Sequence, residues 1–409
     1  MRPGRTAALR DFRILLAGQV ASALGTRISG VATPLLALAL TRSATKTGVV
    51  EFAGTLPIFV LSLYAGVAID RYDRKRLMLA CELARVIALA SVAAGVIWGF
   101  VSFGQLALVA FVDGAGFTTF EVAQRAALKQ LVPSEELPYA AALNQRREYG
   151  ALMLGTPAGG ALYGLSRAAP FVVDAVSYGA SLISVLLIRR PLNEARAAST
   201  GAARTIHAEI AEGVRWLWHE PFLRANSLLV VASDLTVNSL YLVVVVIARR
   251  SGASGALIGA MLLFLGLGGI VGTVVAPRLL KALPLQAGIY GTLITITVLL
   301  PVIAVVRDPL TLGVIYGAMF IPYPMWSAGL SAYRASRIPD ELQGRVQSVF
   351  TVVSLGAVPF GMLGVGVSLQ HLGGATTPLI LFAVMVAATG YAVASPHIRH
   401  GPQTVAANL

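Results

Sequence analysis

Long apolar stretches alternate with short polar segments along the whole chain. Runs such as 35–40, 86–101 and 293–306 contain almost no polar residues. The segments around these runs are long enough to cross a hydrocarbon core of ~30 Å, which takes about 20 helical residues. The alternation therefore predicts twelve membrane-spanning helices. They cover residues 14–40, 48–69, 77–100, 104–126, 144–164, 169–188, 223–247, 255–276, 286–306, 311–332, 346–370 and 375–395.

Matching landmarks in the two halves of the chain are separated by a constant 206 residues. The pairs are Gly66 and Gly272, Pro133 and Pro339, Gly150 and Gly356, Gly155 and Gly361, and Gly160 and Gly366. A constant spacing across loops and helices indicates a duplicated half in parallel order. The predicted fold is an all-α membrane protein with two pseudo-symmetric six-helix bundles. The bundles cover 1–190 and 222–409, joined by a cytoplasmic linker at 191–221 that contains an amphipathic helix.

Composition and charge agree with a membrane protein. The 409 residues are 56% hydrophobic and 12% charged, which excludes an ordinary soluble enzyme. A formal net charge of +13 raises nucleic-acid binding as an alternative. With both termini in the cytoplasm, however, most Lys and Arg residues fall on the cytoplasmic side, as the positive-inside rule requires. We therefore expect a multi-pass monomer in a bacterial inner membrane, attracted to anionic lipid and not to nucleic acid.

Motifs for chemical catalysis are absent from the sequence. The five histidines do not have metal-ligand spacing, and there is no phosphate-binding G-x-x-x-x-G-K-[ST] loop. The glycines of "GLGGIVG" at 266–272 lie inside an apolar span, where they allow close helix packing. We expect no enzyme activity, no cofactor and no metal, and we expect transport energy to come from a gradient or from the substrate's own concentration difference.

The loop between the second and third predicted spans has the pattern Gly66-x-x-x-Asp70-Arg71-x-x-Arg74-Lys75-Arg76. This loop resembles the signature cytoplasmic loop of the major facilitator superfamily. The resemblance implies a cytoplasmic gate in which Asp70 contacts a helix N-terminus or an arginine of the second half. The matching loop of the second half keeps Gly272 but has alanine where Asp70 would recur, so we expect an asymmetric gate.

Further segments resemble one bacterial branch of this superfamily, which includes enterobactin exporters and macrolide-type efflux pumps. They are "CELAR", "FEVAQRAALKQLVP", "AALN", "DAVSY" and "PDELQGRV". The stretch "LGTPAGGAL" resembles the antiporter motif of the fifth helix, although its proline is displaced by one residue. The motif residues are Gly155, Pro157, Gly159 and Gly160. The arginine often found in the fourth helix of drug–proton antiporters is missing here, and Asp113 lies in that stretch instead.

Three charged residues fall at a similar depth in the predicted spans, close to the bilayer midplane. They are Arg27 in the first span, Asp113 in the fourth and Asp234 in the seventh. The resemblance implies that the first, fourth, seventh and tenth helices line a central cavity. A charge at this depth requires water or a partner. One alternative is a static ion pair of Arg27 with either acid, and the favoured alternative is substrate binding or proton exchange.

Other intramembrane charges have more local interpretations. Glu82 and Arg85 are three residues apart and form a predicted pair near the cytoplasm. Asp174 and Glu51 lie toward the outer ends of their spans and brace either a helix or an outer gate. Glu148 pairs with a neighbouring arginine or reaches the cytoplasmic gate, and the sequence leaves this open.

Polar and aromatic residues on the presumed cavity helices are candidates for substrate contact. They are Gln19, Asn238, Tyr241, Tyr316, Phe320, Tyr323 and Trp326. Pro322 and Pro324 interrupt the tenth span among the aromatic residues, and interrupted helices are typical of transporter binding sites. Such a cavity suits amphiphilic, drug-sized molecules.

These patterns predict a secondary active efflux transporter that exports an amphiphilic drug or natural product, by proton antiport with alternating access. The alternative within the same class is a siderophore exporter, in which Arg27 would attract an anionic ligand. A small-nutrient importer and a transport-inactive membrane scaffold or sensor are the further alternatives.

Overall fold

The computed structural model describes residues 3–71, 73–132, 137–189, 192, 206–339 and 342–401. Within these ranges the regular secondary structure is entirely helical. The helices are α1 (Pro3–Thr41), α2 (Ala44–Arg71), α3 (Arg74–Trp98), α4 (Phe103–Leu131), α5 (Leu137–Leu165), α6 (Ala169–Leu187), α7 (Ile206–His219), α8 (Pro221–Arg250), α9 (Gly255–Ala282), α10 (Leu285–Val305), α11 (Pro309–Met319), α12 (Tyr323–Arg337), α13 (Gln343–Gly356), α14 (Val358–His371), α15 (Gly373–Ala394) and α16 (Pro396–Arg399). The predicted all-α membrane class is confirmed.

Ten helical segments in the described part of the chain are long and apolar enough to cross a membrane, compared with twelve predicted spans. The predicted fifth span corresponds to α5, whose polar N-terminal half includes Arg147 and Glu148. The predicted tenth span is divided into α11 and α12, each shorter than a full span. Pro322 and Pro324 explain this division, because proline lacks the N–H that would continue the helical hydrogen bonds.

Helix caps fix where the polar connections meet the helices. Asp73 accepts a hydrogen bond from the Arg76 backbone N–H at the start of α3. Asp308 accepts one from the Thr311 N–H at the start of α11. This backbone hydrogen bond, together with one from the Thr311 hydroxyl, holds the pKa of the Asp308 carboxyl below its usual value. The stabilisation by this cap is therefore fully present above the ordinary pKa of an aspartate. It is lost as the pH falls through the lowered pKa of Asp308.

The chain forms two compact units. The first contains Met1–Arg42 and Ala53–Arg204, and the second contains Ser43–Phe52 and Thr205–Leu409. In the first unit α1 packs on α5 and α6, and α3 packs on α4 and α6. In the second unit α8 packs on α14 and α15, and α10 packs on α11, α12 and α15. The same pairs of predicted spans are therefore in contact within each unit, as expected for a duplicated sequence.

Glycines allow several of these helices to approach closely, as predicted for the "GLGGIVG" stretch. In the second unit, a Cβ atom added to Gly268 of α9 would collide with the carbonyl oxygen of Gly317 on α11. In the first unit, a Cβ on Gly114 of α4 would collide with the carbonyl oxygen of Gly54 on α2. Backbone is rigid, so a side chain at either position would force the helices apart.

Replacing Gly268 with alanine is expected to destabilise the protein by about 1–3 kcal/mol, because the added methyl group overpacks the contact between α9 and α11. The matched control is Gly390→Ala on α15, where the added Cβ has nothing within 4 Å. That control gains helix propensity without a collision. Thermal unfolding of both purified variants measures the difference, and equal midpoints would contradict the close-packing role of Gly268.

Candidate functional site

The three charges predicted at the midplane have separate partners. Arg27 on α1 pairs with Glu148 on α5, with 3.3 Å between Nη2 and Oε2. Asp113 on α4 pairs instead with Arg85 on α3. Within the first unit, Arg27 therefore pairs with Glu148 and not with Asp113, which was one of the two acids considered as its static partner. The choice left open for Glu148 is also resolved, since it accepts hydrogen bonds from Arg27 and from Arg147.

Arg85 is the centre of a polar cluster inside the first unit. Its Nε donates to Asp113 Oδ1 at 2.9 Å, and its Nη2 donates to the Tyr178 hydroxyl. The Tyr178 hydroxyl in turn donates to the same Asp113 oxygen at 2.9 Å. The Arg85 side chain is only 2% exposed, whereas that of Asp113 is 25% exposed. A buried guanidinium thus holds a carboxylate that is itself partly exposed.

The position of Arg85 follows from helix geometry and packing. The guanidinium Cζ lies 3.7 Å from the centre of the Tyr178 ring and 5.8 Å from that of Phe117. These aromatic faces stabilise a cation that is removed from water. The sequence predicts a local pair of Glu82 with Arg85, and the structure contains this ion pair with a Nη1–Oε2 distance of 3.9 Å. Arg85 also donates a hydrogen bond to Asp113, which the sequence did not indicate. The i,i+3 pair of opposite charges inside an apolar span was the signal for this site.

Two further acids belong to the same interior. Asp174 on α6 accepts hydrogen bonds from Ser29 at 2.5 Å and from Ser177 at 3.0 Å, and it interacts electrostatically with Arg85. Glu82 is fully buried and accepts one hydrogen bond, from the Ser181 hydroxyl at 2.8 Å. Its Oε2 atom has no hydrogen-bond partner in the described structure. We refer to Glu82, Arg85, Asp113 and Asp174 as the inner cluster.

A second group of charges lies on the other side of Gln19. Arg147 Nη1 donates to Gln19 Oε1 at 2.7 Å, and Arg147 Nη2 contacts Glu148 at 2.7 Å and Glu121 at 3.3 Å. We refer to Arg27, Glu121, Arg147 and Glu148 as the Arg147 cluster. Gln19 Nε2 lies 3.5 Å from the Ser181 hydroxyl, which connects this group to the inner cluster. Gln19 is buried, so its side chain belongs to this network and not to an open surface as predicted for a cavity residue.

Asp234 lies in the second unit with hydroxyl partners. The Ser354 hydroxyl donates to its Oδ2 atom, and the Tyr323 side chain forms a further hydrogen bond with it. Asn238 lies one turn further along α8 and donates to the Asp234 backbone oxygen at 2.8 Å. These residues place a carboxyl, hydroxyl groups and an amide in one region of the second unit.

The remaining aromatic candidates divide between packing and partial exposure. Trp326 is buried and its Nε1 donates to Asn226 at 2.9 Å, while the buried Tyr316 donates to the Val237 oxygen at 2.9 Å. Both therefore hold helices together, and the structure does not place them on an open surface. Phe320 packs edge-on against Tyr316 and is half-buried, as are Tyr323 and Tyr241.

The predicted gate residues are only partly visible. The surroundings of Gly66 and the side chains of Asp70 and Arg71 lie outside the described residues. Arg74 Nη1 donates to the Leu192 oxygen at 3.2 Å, and Lys75 Nζ donates to the Ile188 oxygen at 2.6 Å. These two basic side chains bind carbonyl groups beyond the C-terminus of α6, where cations are favoured.

The antiporter-like motif brings α5 against α1. A Cβ on Gly155 would meet Arg27 Cβ at 2.6 Å, and a Cβ on Gly159 would collide with the Ile28 carbonyl oxygen. Pro157 lies inside α5, and Gly160 is buried on the same helix. The close approach positions Arg27 next to the helix that carries Glu148. Among the described residues there is no group of three His, Cys, Asp or Glu side chains that could hold a metal ion.

Comparison with known proteins agrees with this architecture. A family model described as transmembrane secretion effector matches residues 6–406. The chain is 27% identical to multidrug efflux pump Tap of Mycolicibacterium fortuitum, over 94% of this chain and 95% of that protein. It is 26% identical to macrolide efflux protein A of Streptococcus pyogenes, over 86% and 87%. A solved bacterial homologue of the human lysosomal transporter Spinster shares the fold with a TM-score of 0.70 at 13% identity, covering 96% of this chain and 95% of that one.

Ten apolar helices long enough to span a membrane, together with the family model and the similarity to efflux pumps, define a multi-pass membrane transporter. The chain belongs to the transmembrane secretion effector family of the major facilitator superfamily. The predicted family and fold are confirmed.

Proposed function

We propose that this protein exports an amphiphilic, drug-sized compound across the bacterial inner membrane in exchange for protons, by alternating access and with both termini cytoplasmic. Export is supported by the relatives named as multidrug and macrolide efflux pumps, which match this chain over most of its length. Proton exchange is supported by one observation above the others. Asp113 is a partly exposed carboxylate inside a membrane span, and a buried arginine holds it.

An acid in this setting can couple proton movement to a change of partner. The carboxylate form is held by Arg85 and Tyr178, whereas the protonated form no longer requires the cation. Binding a proton would therefore release Arg85 and change the packing of α3, α4 and α6. The polar region around Asp234, Ser354 and Tyr323 in the second unit is proposed to contact the substrate, since it combines hydrogen-bonding groups with aromatic surface.

The siderophore alternative depended on an uncompensated Arg27. Glu148 pairs with Arg27, so the charge that would attract an anionic catecholate is already balanced. Neither an importer of small nutrients nor a transport-inactive scaffold receives support from a particular contact. We therefore favour export of an amphiphilic compound that need not be anionic.

Expression in a strain that lacks its own efflux pumps tests this function. We expect the protein to raise resistance to at least one amphiphilic compound in a panel that includes macrolides and siderophores, and we expect an uncoupler to abolish the effect. Accumulation of a fluorescent substrate is measured in parallel. Resistance unaffected by the uncoupler would contradict proton coupling, and unchanged accumulation across the whole panel would contradict export.

A further inference from the structure

The two units provide an internal comparison for the buried charges. The helices α3, α4 and α6 carry the inner cluster, and the corresponding helices α10, α11 and α15 pack in the same pairs. None of α10, α11 and α15 contains an Asp, Glu, Lys or Arg residue. The contacts of α10 with α11 and α15 therefore form without charged residues on these three helices, while α12, which completes the tenth span, carries Arg334 and Arg337. The residues of the inner cluster thus have no charged counterparts on α10, α11 and α15, which argues that the cluster has a functional role.

The charges of the inner cluster do not balance. Arg85 contributes one positive charge, while Glu82, Asp113 and Asp174 can contribute three negative charges, giving +1 − 3 = −2. By comparison, both glutamates of the Arg147 cluster have arginine partners, because Arg27, Arg147 and the exposed Arg125 face Glu121 and Glu148, giving +3 − 2 = +1. A buried carboxylate without a cation is costly and becomes neutral by taking up a proton. The inner cluster must therefore hold protons.

Contacts within the cluster indicate which acid is neutral. Asp113 has the 2.9 Å contact with Arg85 and is partly exposed. Asp174 accepts hydrogen bonds from two hydroxyl groups. Glu82 is fully buried, receives a single hydroxyl hydrogen bond, and its Oε2 atom lies 3.9 Å from Arg85 Nη1 without a hydrogen bond. Of the three acids, Glu82 has the least support for a negative charge.

We propose that Glu82 is a proton-binding residue of the transport cycle and that Arg85 is its positioning residue, shared between Glu82 and Asp113. This inference rests on the proton antiport proposed above. In the structure described here, Arg85 neutralises Asp113 and Glu82 carries a proton on its carboxyl group. When the guanidinium moves from Asp113 to Glu82, the O–H bond of Glu82 breaks and an O–H bond forms on Asp113, either directly or through water that reaches Asp113.

Other titratable groups face this pair from the surrounding helices. Tyr178 and Asp174 face Arg85 from α6, and Cys81 precedes Glu82 on α3. From α1, the Thr26 hydroxyl accepts a hydrogen bond from Arg85 Nη2 at 3.4 Å. None of these neighbouring groups is a cation, so Arg85 supplies the positive charge of the cluster. The acid that pairs with Arg85 is ionised, and the other acid holds the proton.

Replacing Glu82 with glutamine tests the proposal, because the amide imitates the neutral acid but cannot release a proton. We expect acid-driven transport by this variant in proteoliposomes to fall at least about 10-fold. Substrate counterflow, which needs no net proton movement, should stay within about twofold of wild type. Unchanged acid-driven transport would overturn the role of Glu82. Loss of counterflow in a variant that unfolds like wild type would also overturn it, since Glu82 would then act in substrate movement.

A second measurement needs no substrate and separates this inference from the proposed function. Infrared spectroscopy of the purified full chain follows the protonated-carboxyl band as the pH is raised. We expect Glu82→Gln to remove part of this band and the exposed-loop control Asp308→Asn to retain it. Arg85→Lys, which keeps the charge but loses the planar fork, should displace the pH at which the band disappears. If the wild-type protein shows the Glu82 band but no acid-driven flux, proton antiport is contradicted and the proton site is retained. If the band is the same in the wild type and in Glu82→Gln, the proton site itself is contradicted.

Discussion

Replacing Arg85 with leucine is expected to destabilise the first unit by about 3–5 kcal/mol, because the substitution leaves buried carboxyl groups without their cation. The expected loss of stability arises from the buried position of Arg85 and not from its charge alone. Arg85 is 2% exposed, contacts Asp113 and Tyr178, and lies against an aromatic ring. Chemical or thermal unfolding of the purified protein in detergent measures the loss.

An arginine on the surface of the same unit is the matched control. Arg125 on α4 pairs with Glu121 at 3.4 Å, but its side chain is 76% exposed. Arg125→Leu is expected to cost about 0–1 kcal/mol, as is usual for an exposed ion pair. The double variant Arg85→Leu/Asp113→Leu should recover part of the stability lost in Arg85→Leu, since one of the acids is removed with the cation. Equal losses for Arg85→Leu and Arg125→Leu would show that the inner cluster does not stabilise the fold.

Replacing Asp113 with asparagine is expected to lower acid-driven transport about 100-fold while substrate counterflow persists. Without a carboxylate at position 113, Arg85 can no longer move between Asp113 and Glu82. The proposed exchange of its carboxylate partners therefore stops. Proteoliposomes loaded with substrate, with and without an imposed pH gradient, provide both rates. Asparagine keeps the size of the original side chain and can still accept a hydrogen bond, so we expect the variant to fold, and unfolding in detergent checks this separately.

Asp234→Asn provides a contrast from the second unit. Asp234 is held by Ser354 and Tyr323 among the proposed substrate-contacting residues, and we expect this variant to reduce counterflow as well as driven transport. Full coupling in both aspartate variants would contradict proton transfer through either residue. Loss of counterflow in Asp113→Asn would instead move Asp113 into the substrate site.

Much of the fold was predictable from the sequence, because membrane spans depend on local composition. Apolar runs of about 20 residues identify helices that cross a bilayer, and glycines 206 residues apart identify the duplication. The division of the predicted tenth span at Pro322 also follows from a local property, the missing N–H of proline. The gate motif was recognisable because all its residues lie in one short stretch of the chain. The surroundings of Gly66 and the side chain of Asp70 lie outside the described residues.

The partners of the charged side chains were less predictable. The sequence gives only the depth of a residue along its span. Arg27 and Asp113 were expected to lie close together because both are near the middle of their spans. Which charges meet depends on the rotation of each helix and on the helices that pack beside it. Gly155 and Gly159 bring α5 against α1, which places Glu148 next to Arg27 and leaves Asp113 to Arg85.

The sequence by itself determined that this is an all-α membrane protein, because hydrophobic runs are local in the chain, and the resemblance of its loop at 66–76 indicated the major facilitator superfamily. Only the tertiary structure decided that Glu82, Arg85, Asp113 and Asp174 form one cluster. These residues come from three helices, and their contacts are set by helix packing over long separations in the chain, such as the 145 residues between Ser29 and Asp174. The imbalance of charge in that cluster, and hence the proton that it must hold, became visible only once the helices were packed.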